Sequence, residues 1–182
     1  MKLETEIKKG KDVSSYLKRS WNKIMKKTFG SSPLENFSKD IFFKVKDEKK
    51  LVVMGALTPV RIKYLGKTYN ILGITEIVAL KRKKGYGKIL MQEILKYVEK
   101  TGKTAVGFTG DRTSPFYKKC GLKIKPGMVK KFVYTPKNKA EEKEVKYALK
   151  NDSDVIYIER KDKFITKVAS SKLNVQLPCM YW

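Results

Sequence analysis

Thr75-Glu76-Ile77-Val78-Ala79-Leu80-Lys81-Arg82-Lys83-Lys84-Gly85-Tyr86-Gly87-Lys88 is the stretch whose reading decides the fold. Its first half ends a β-rich run from Tyr69 to Leu80, a long strand candidate. Its second half is basic and carries two glycines. Beyond it Leu90, Met91, Ile94, Leu95 and Val98 recur at helical spacing, and Gly102 stands where a helix stop belongs. A strand, a glycine-bearing turn and a helix start together make an anion-binding device. Glycines let a ligand come close to the backbone. The first N–H groups of the helix lack internal acceptors, and the helix dipole favours negative charge there. Arg82, Lys83, Lys84 and Lys88 add long cationic arms. The natural guest of such a turn is a diphosphate.

Two other phosphate motifs fail on inspection. Gly66-Lys67-Thr68 resembles the end of a P-loop, but the required earlier glycine falls on Arg61. Gly85-x-Gly87 lacks the third glycine of a dinucleotide fingerprint, because that position is Leu90.

Working outward, residues 13–28 place Val13, Leu17, Trp21, Ile24 and Met25 on one helical face, with Asp12 as the candidate cap. Residues 31–40 read as a loop or short helix. Ile41 to Val45 and Leu51 to Val60 read as strands around the turn Asp47-Glu48-Lys49-Lys50, and Tyr64-Leu65-Gly66-Lys67 marks a second turn. Downstream, Ala105-Val106-Gly107-Phe108 reads as a buried strand. Thr113 or Ser114 caps a short helix with Pro115 in its first turn and Gly121 at its end. Met128 to Tyr134 reads as a strand, and Lys137 to Lys150 as a charged surface helix or loop. Val155 to Glu159 and Phe164 to Val168 read as a last pair of strands. The sum is one mixed α/β domain over residues 1–182, with no repeat and no linker.

Composition narrows the chemistry. The 182 residues are 41% hydrophobic, too many for a disordered chain and enough for one core. Neither a transmembrane run nor a signal-peptide core is visible, so we expect a soluble, cytoplasmic protein without membrane partners. There is no histidine, which removes imidazole as base or metal ligand. Cys120 and Cys179 are too few for a thiolate zinc site, and we expect no metal. The net charge is +24, with the excess densest over residues 71–135. A bound polyanion and a merely lysine-rich solvated surface both account for it, so non-specific nucleic-acid binding is an open partner class.

Arg82-x-x-Gly85-x-Gly87 resembles the coenzyme A diphosphate motif of the Gcn5-related N-acetyltransferases. Ser114-Pro115-Phe116-Tyr117-Lys118-Lys119-Cys120-Gly121-Leu122 resembles that superfamily's Phe-Tyr-x-x-x-Gly-aromatic helix, with Leu122 replacing the usual aromatic residue. Thr75 to Leu80 resembles the Glu-bearing strand of the histone acetyltransferase branch. The pattern is closest to the aminoglycoside 2′-N-acetyltransferases, through Arg61 to Gly66, Gly73 to Glu76 and the acidic turn Asn151 to Tyr157. Both end in tryptophan, here Trp182. The segment from Glu76 to the loop glycines is shorter than in either branch, so the register of Glu76 depends on where the gap falls.

The resemblance implies a mixed, mostly antiparallel sheet flanked by helices, with a coenzyme A wedge between two parallel strands. It implies acetyl transfer from acetyl-CoA to a primary amine. Backbone groups of Ile77, Val78, Ala79 and Leu80 would pair with the pantetheine arm. Arg82, Lys83, Lys84, Gly85, Tyr86, Gly87 and Lys88 would hold the diphosphate. Glu76 would be the base that takes the amine proton, and Tyr117 the acid that protonates the leaving thiolate. An ammonium group is no nucleophile, so a base is required at neutral pH, and a carboxylate raised by burial can serve. Asp152, Asp154 and the Trp182 carboxylate are the further acids available to receive a cationic acceptor, whereas Ser31-Ser32 stands where the aminoglycoside branch has an acid.

Overall fold

The computed structural model describes residues 3–30, 37–82 and 84–179. The chain divides into two compact units that interleave in sequence: Met1–Thr58 with Ile74–Tyr97, and Pro59–Gly73 with Val98–Trp182. No described helix is long and apolar enough to cross a membrane.

The first unit opens with β1 (Leu3–Lys9), which pairs antiparallel with β2 (Ile41–Asp47). β2 in turn pairs antiparallel with β3 (Lys50–Tyr64), Ile41 lying opposite Leu57. Glu48 and Lys49 both take positive φ, at 51° and 68°, as a tight right-twisted hairpin turn requires. β4 (Lys67–Ala79) is the next neighbour, and α1 (Ser15–Phe29) and α2 (Tyr86–Thr101) are the helices. Ser14 caps α1 by accepting from the Leu17 N–H at 3.3 Å, and Gly30 closes it at φ 79°. The cap is therefore Ser14 and not Asp12, which sits in a short 3₁₀ turn before it. Val13, Trp21 and Met25 pack with Phe42, Met54, Ala56 and Val78. Gly55 has no side chain for a reason of space: a Cβ there would lie 2.4 Å from Ile77 Cδ1.

In the second unit the distal halves of β3 and β4 are followed by β5 (Ala105–Thr109), then β8 (Asp154–Ile158) and β6 (Lys123–Lys125) in spatial order. β5 and β6 both pair antiparallel with β8. Helices α3 (Ser114–Lys119), α4 (Lys139–Asn151) and α5 (Phe164–Ser170) accompany them, and β7 (Phe132–Val133) pairs parallel with β9 (Val175–Gln176). Phe132, Phe164, Ile165, Val168 and Val175 are fully buried in its core. The P-loop look-alike is a hairpin turn here, with Leu65 and Gly66 at φ 49° and 71°.

Two further expectations are corrected, and one strand is new. Phe164 to Val168 is the helix α5, not a strand. Apolar residues at 164, 165 and 168 fit one helical face as well as a buried strand, and the Asp162 carboxylate accepts the Phe164 N–H at 2.9 Å and favours the helical start. Met128 to Tyr134 is mostly a 3₁₀ turn, and only Phe132 and Val133 are extended. β1 was not expected, because its charged residues mask the pattern; edge strands commonly carry such charge. Lys137 to Lys150 resolves as a helix, capped by the Asn138 side chain on the Ala140 and Glu141 N–H groups.

Candidate active site

Glu76 lies inside β4, yet its φ is 54°, the left-handed region that a non-glycine residue rarely occupies. Such a residue interrupts the pleat and re-aims its side chain, as in a β-bulge, at a local cost of roughly 1–3 kcal/mol. The side chain is buried, 7% exposed. One carboxylate oxygen, Oε2, accepts a hydrogen bond from the Trp21 Nε1–H of α1. The other, Oε1, has no hydrogen-bond partner among the described residues. Burial pushes the Glu76 carboxyl up to about 7; the Trp21 bond opposes that rise and the charge of Asp40 adds to it. At neutral pH Glu76 is thus divided between its two forms, the state in which a general base works best.

The turn after β4 belongs to the same unit. Lys81, Arg82, Lys84, Gly85 and Lys88 are exposed, and Lys83 lies outside the described residues. Gly85 has φ 75°, and a Cβ on it would meet nothing within 4 Å, so open space lies over the backbone there. The Gly85 carbonyl accepts from Lys88 N–H at 3.0 Å and Ile89 N–H at 3.3 Å, which closes the first turn of α2. The N–H groups of Tyr86 and Gly87 open the helix, where internal acceptors are lacking. The Tyr86 ring turns inward, 4% exposed, and its hydroxyl donates to the Asp47 carboxylate in the β2–β3 turn. That bond, then burial, raises the Tyr86 phenol and keeps it protonated. Tyr86 therefore offers the turn its backbone while its side chain anchors the helix start. Leu80 and Lys81 N–H both donate to the Val52 carbonyl, at 2.9 and 3.2 Å. By strand alternation the outward-facing groups of this segment are those of Ile77 and Ala79. Acetyl-CoA fits these residues on its own chemistry: an anion at an open, glycine-bearing, cationic helix start.

The second unit holds the other candidates. Tyr117 lies on α3 and is 8% exposed. Burial, then the nearby Asp152 and Cys120, push its phenol well above the ordinary range. Burial also raises Asp152, the residue that ends α4. Asp154 is different. It accepts Ser114 Oγ–H at 2.5 Å, Ser153 Oγ–H at 2.9 Å and Gly127 N–H at 3.3 Å. Burial pushes Asp154 up, but these three donors outweigh it and hold the carboxyl below its usual value. Ser114 thus spends its hydroxyl on Asp154 rather than on capping α3, and Thr113 takes the cap position without a side-chain bond. Trp182 and Ser31-Ser32 lie outside the described residues.

Two residues of the first site were not singled out as functional from the sequence. Trp21 reads there as one more apolar member of a helical stripe, and its indole N–H carries no sequence signal. Asp40 precedes an apolar run and looks like an ordinary loop acid. Only packing brings both to Glu76.

The first unit thus joins a strand that carries a buried carboxylate at positive φ, an open cationic turn and an amphipathic helix in a mixed α/β protein. No family model matches the chain, and no curated protein matches it in sequence. Solved structures do resemble it. ElaA of Escherichia coli superposes with a TM-score of 0.58 at 10% identity, over 87% of this chain and 100% of that one. An acyl-CoA N-acyltransferase from Pseudomonas aeruginosa gives 0.55 at 14%, over 69% and 91%. A GCN5-related N-acetyltransferase from Kribbella flavida gives 0.50 at 15%, over 67% of this chain but only 33% of that one. The chain has the fold of the Gcn5-related N-acetyltransferases: mixed α/β, with a mostly antiparallel sheet flanked by helices.

Proposed function

We propose that this protein is an N-acetyltransferase that uses acetyl-CoA and acetylates a primary amine by direct attack. The observation that carries the reading is Glu76: a buried carboxyl near 7, on a strained backbone, three strand positions before the end of β4 and just ahead of the cationic turn. A purely structural glutamate needs neither the strain nor an unpartnered oxygen.

The residues would divide the work as follows. Arg82, Lys83, Lys84 and Lys88, with the N–H groups around Gly85, Tyr86 and Gly87, hold the diphosphate. The backbone of Ile77 to Ala79 pairs with the pantetheine arm as an added strand would. The bound donor supplies an acetyl thioester. Glu76 takes a proton from the acceptor's ammonium group, so that its nitrogen presents a lone pair. Trp21 holds the carboxylate in orientation and favours its ionised form, because an indole N–H only donates. Tyr117 keeps its proton until a thiolate needs it, and gives it to the departing sulfur. The acceptor is a cation before it reacts, and an uncompensated buried carboxylate suits it.

The test is thermal. Saturating acetyl-CoA should raise Tm by mass action, by about 2.7 kcal/mol of stabilisation at a hundredfold excess over Kd. Gly85→Val should abolish the shift, since it blocks the approach and strains a φ of 75°. A wild-type Tm indifferent to acetyl-CoA, with no heat of binding, rejects the reading.

A further inference from the structure

The first unit buries a second carboxylate that the reaction above does not use. Asp40 is 1% exposed and immediately precedes β2. Its backbone is pinned: the Gly10 N–H donates to the Asp40 carbonyl at 2.7 Å. Gly10 is itself compelled to be glycine, because a Cβ there would fall 1.6 Å from the Phe37 carbonyl oxygen. Continuing the β2–β3 register by one residue sets Asp40 opposite Thr58. Alternation puts Asp40 on the same side of the strand as Phe42. Trp21 stands edge-on to Phe42, with ring centroids 4.6 Å apart, and the same indole holds Glu76. Phe42 and Trp21 thus link the side of the strand that carries Asp40 to Glu76, and the charge of Asp40 is felt at Glu76.

Neither oxygen of Asp40, nor Oε1 of Glu76, has a hydrogen-bond partner among the described residues. Two lysines of the flanking elements have other partners. Lys44 of β2 pairs with Glu6 of β1 at 2.9 Å, and Lys18 of α1 stands over the Phe37 ring at 5.2 Å. From β3 the neighbour is the neutral Thr58. Its hydroxyl acts to lower Asp40, although its geometry falls short of a hydrogen bond. Two buried carboxylates with three unpartnered oxygens cannot both be ionised without a heavy desolvation and repulsion cost.

We propose that Asp40 and Glu76 act as one proton-sharing pair, in which Asp40 is a positioning residue that keeps a single proton on the pair and so sets when Glu76 can accept another. Burial raises Asp40 to about 6, which agrees with this. The charge of Asp40 then adds to the burial that raises Glu76. Such a pair titrates as a unit. When an acceptor ammonium arrives, one N–H bond breaks, nitrogen keeps the electron pair, and the proton goes to the ionised member of the pair and later to water. The catalytic part of this role rests on the acetyl-transfer reading, whereas the pair itself does not.

The experiment is a carboxyl-carbon NMR titration of the full-length protein with labelled aspartate and glutamate, wild type against Asp40→Asn. We expect coupled steps for the two residues in the wild type. In Asp40→Asn the Glu76 midpoint should fall by roughly half a unit to one unit, once the like charge is gone. If Asp40→Asn does not fold, Thr58→Val reads the same coupling: Asp40 should titrate higher and, neutral over a wider range, should let the Glu76 midpoint fall. A Glu76 midpoint that stays put overturns the pair. The titration needs no turnover and no donor, so a wild type that binds no acetyl-CoA would reject the acetyl-transfer reading and leave the pair intact, and full activity in Glu76→Gln would remove only Glu76 as its base. Where an acceptor is in hand, the acidic limb of kcat/KM in Asp40→Asn should shift down with the NMR midpoint.

Discussion

Asp154 and Glu76 are both buried strand carboxylates, and the protein treats them in opposite ways. Asp154 receives three donors and is held below its usual range. Glu76 receives one, beside a second acid that receives none, and is raised to about 7. A carboxylate that is fully satisfied stabilises: it ties Ser114 of α3 and the Gly127 turn to β8. A carboxylate left short of partners costs the fold stability and holds its proton more tightly. The supply of donors and not burial sets the two apart, since they are 6% and 7% exposed.

The largest effect that tests this contrast is on rate. Glu76→Gln keeps shape and the Trp21 contact but cannot accept a proton, so acetyl transfer should drop by about 10²–10⁴-fold. The defect should shrink at high pH, where free amine is abundant without help. Turnover against pH for both proteins checks it, and wild-type rates throughout would place the base elsewhere.

The next effect is on stability against pH. Glu76 holds its proton more tightly folded than unfolded, so between about pH 4.5 and 7 the folded state binds more protons. Stability from this group must therefore fall as pH rises through that window, by roughly 3 kcal/mol in all. Asp154 has the opposite sign: its contribution is present above the ordinary carboxylate range and is lost as pH falls through its lowered value. Denaturant melts from pH 4 to 8 should show the decline in the wild type and a flatter profile in Glu76→Gln. Equal profiles would break the comparison.

Removing the satisfied acid should matter more to folding than removing the unsatisfied one. Asp154→Ala strands the Ser114 hydroxyl and the Gly127 N–H, at a cost of about 2 kcal/mol, and should lower Tm. Asp40→Asn removes a charge that burial disfavours, and near pH 8 its Tm should match or exceed the wild type. A large loss in Asp40→Asn with none in Asp154→Ala would invert the argument. The smallest expected effect is at Tyr86. Tyr86→Phe deletes the bond to Asp47, costing about 1 kcal/mol, and should weaken acetyl-CoA binding a few-fold by loosening the start of α2, as calorimetry would register.

Much of this molecule is legible along the chain. The cationic turn with Gly85, the stripe of α2, its stop at Gly102 and the short helix around Tyr117 all follow from local rules. Gly85 and Gly102 sit at φ 75° and 64°, the conformation for which glycine is chosen. Where the reading failed, the local signal was degenerate. The run at Phe164 has the same apolar residues whether coiled or extended, and β1 hides behind its charges.

The sequence alone determined the open, glycine-bearing cationic turn, because helix starts, glycine conformations and lysine arms are properties of a few consecutive residues. It also put a glutamate in the adjoining strand. What only the tertiary structure decided is that this glutamate is buried, receives one donor and is raised to about 7. Trp21 reaches it from 55 positions away. A positive φ at Glu76 aims its side chain, and Asp40 lends its charge from across β2 and β3. Desolvation and charge coupling depend on everything packed around a group, and no run of neighbours in the chain encodes that.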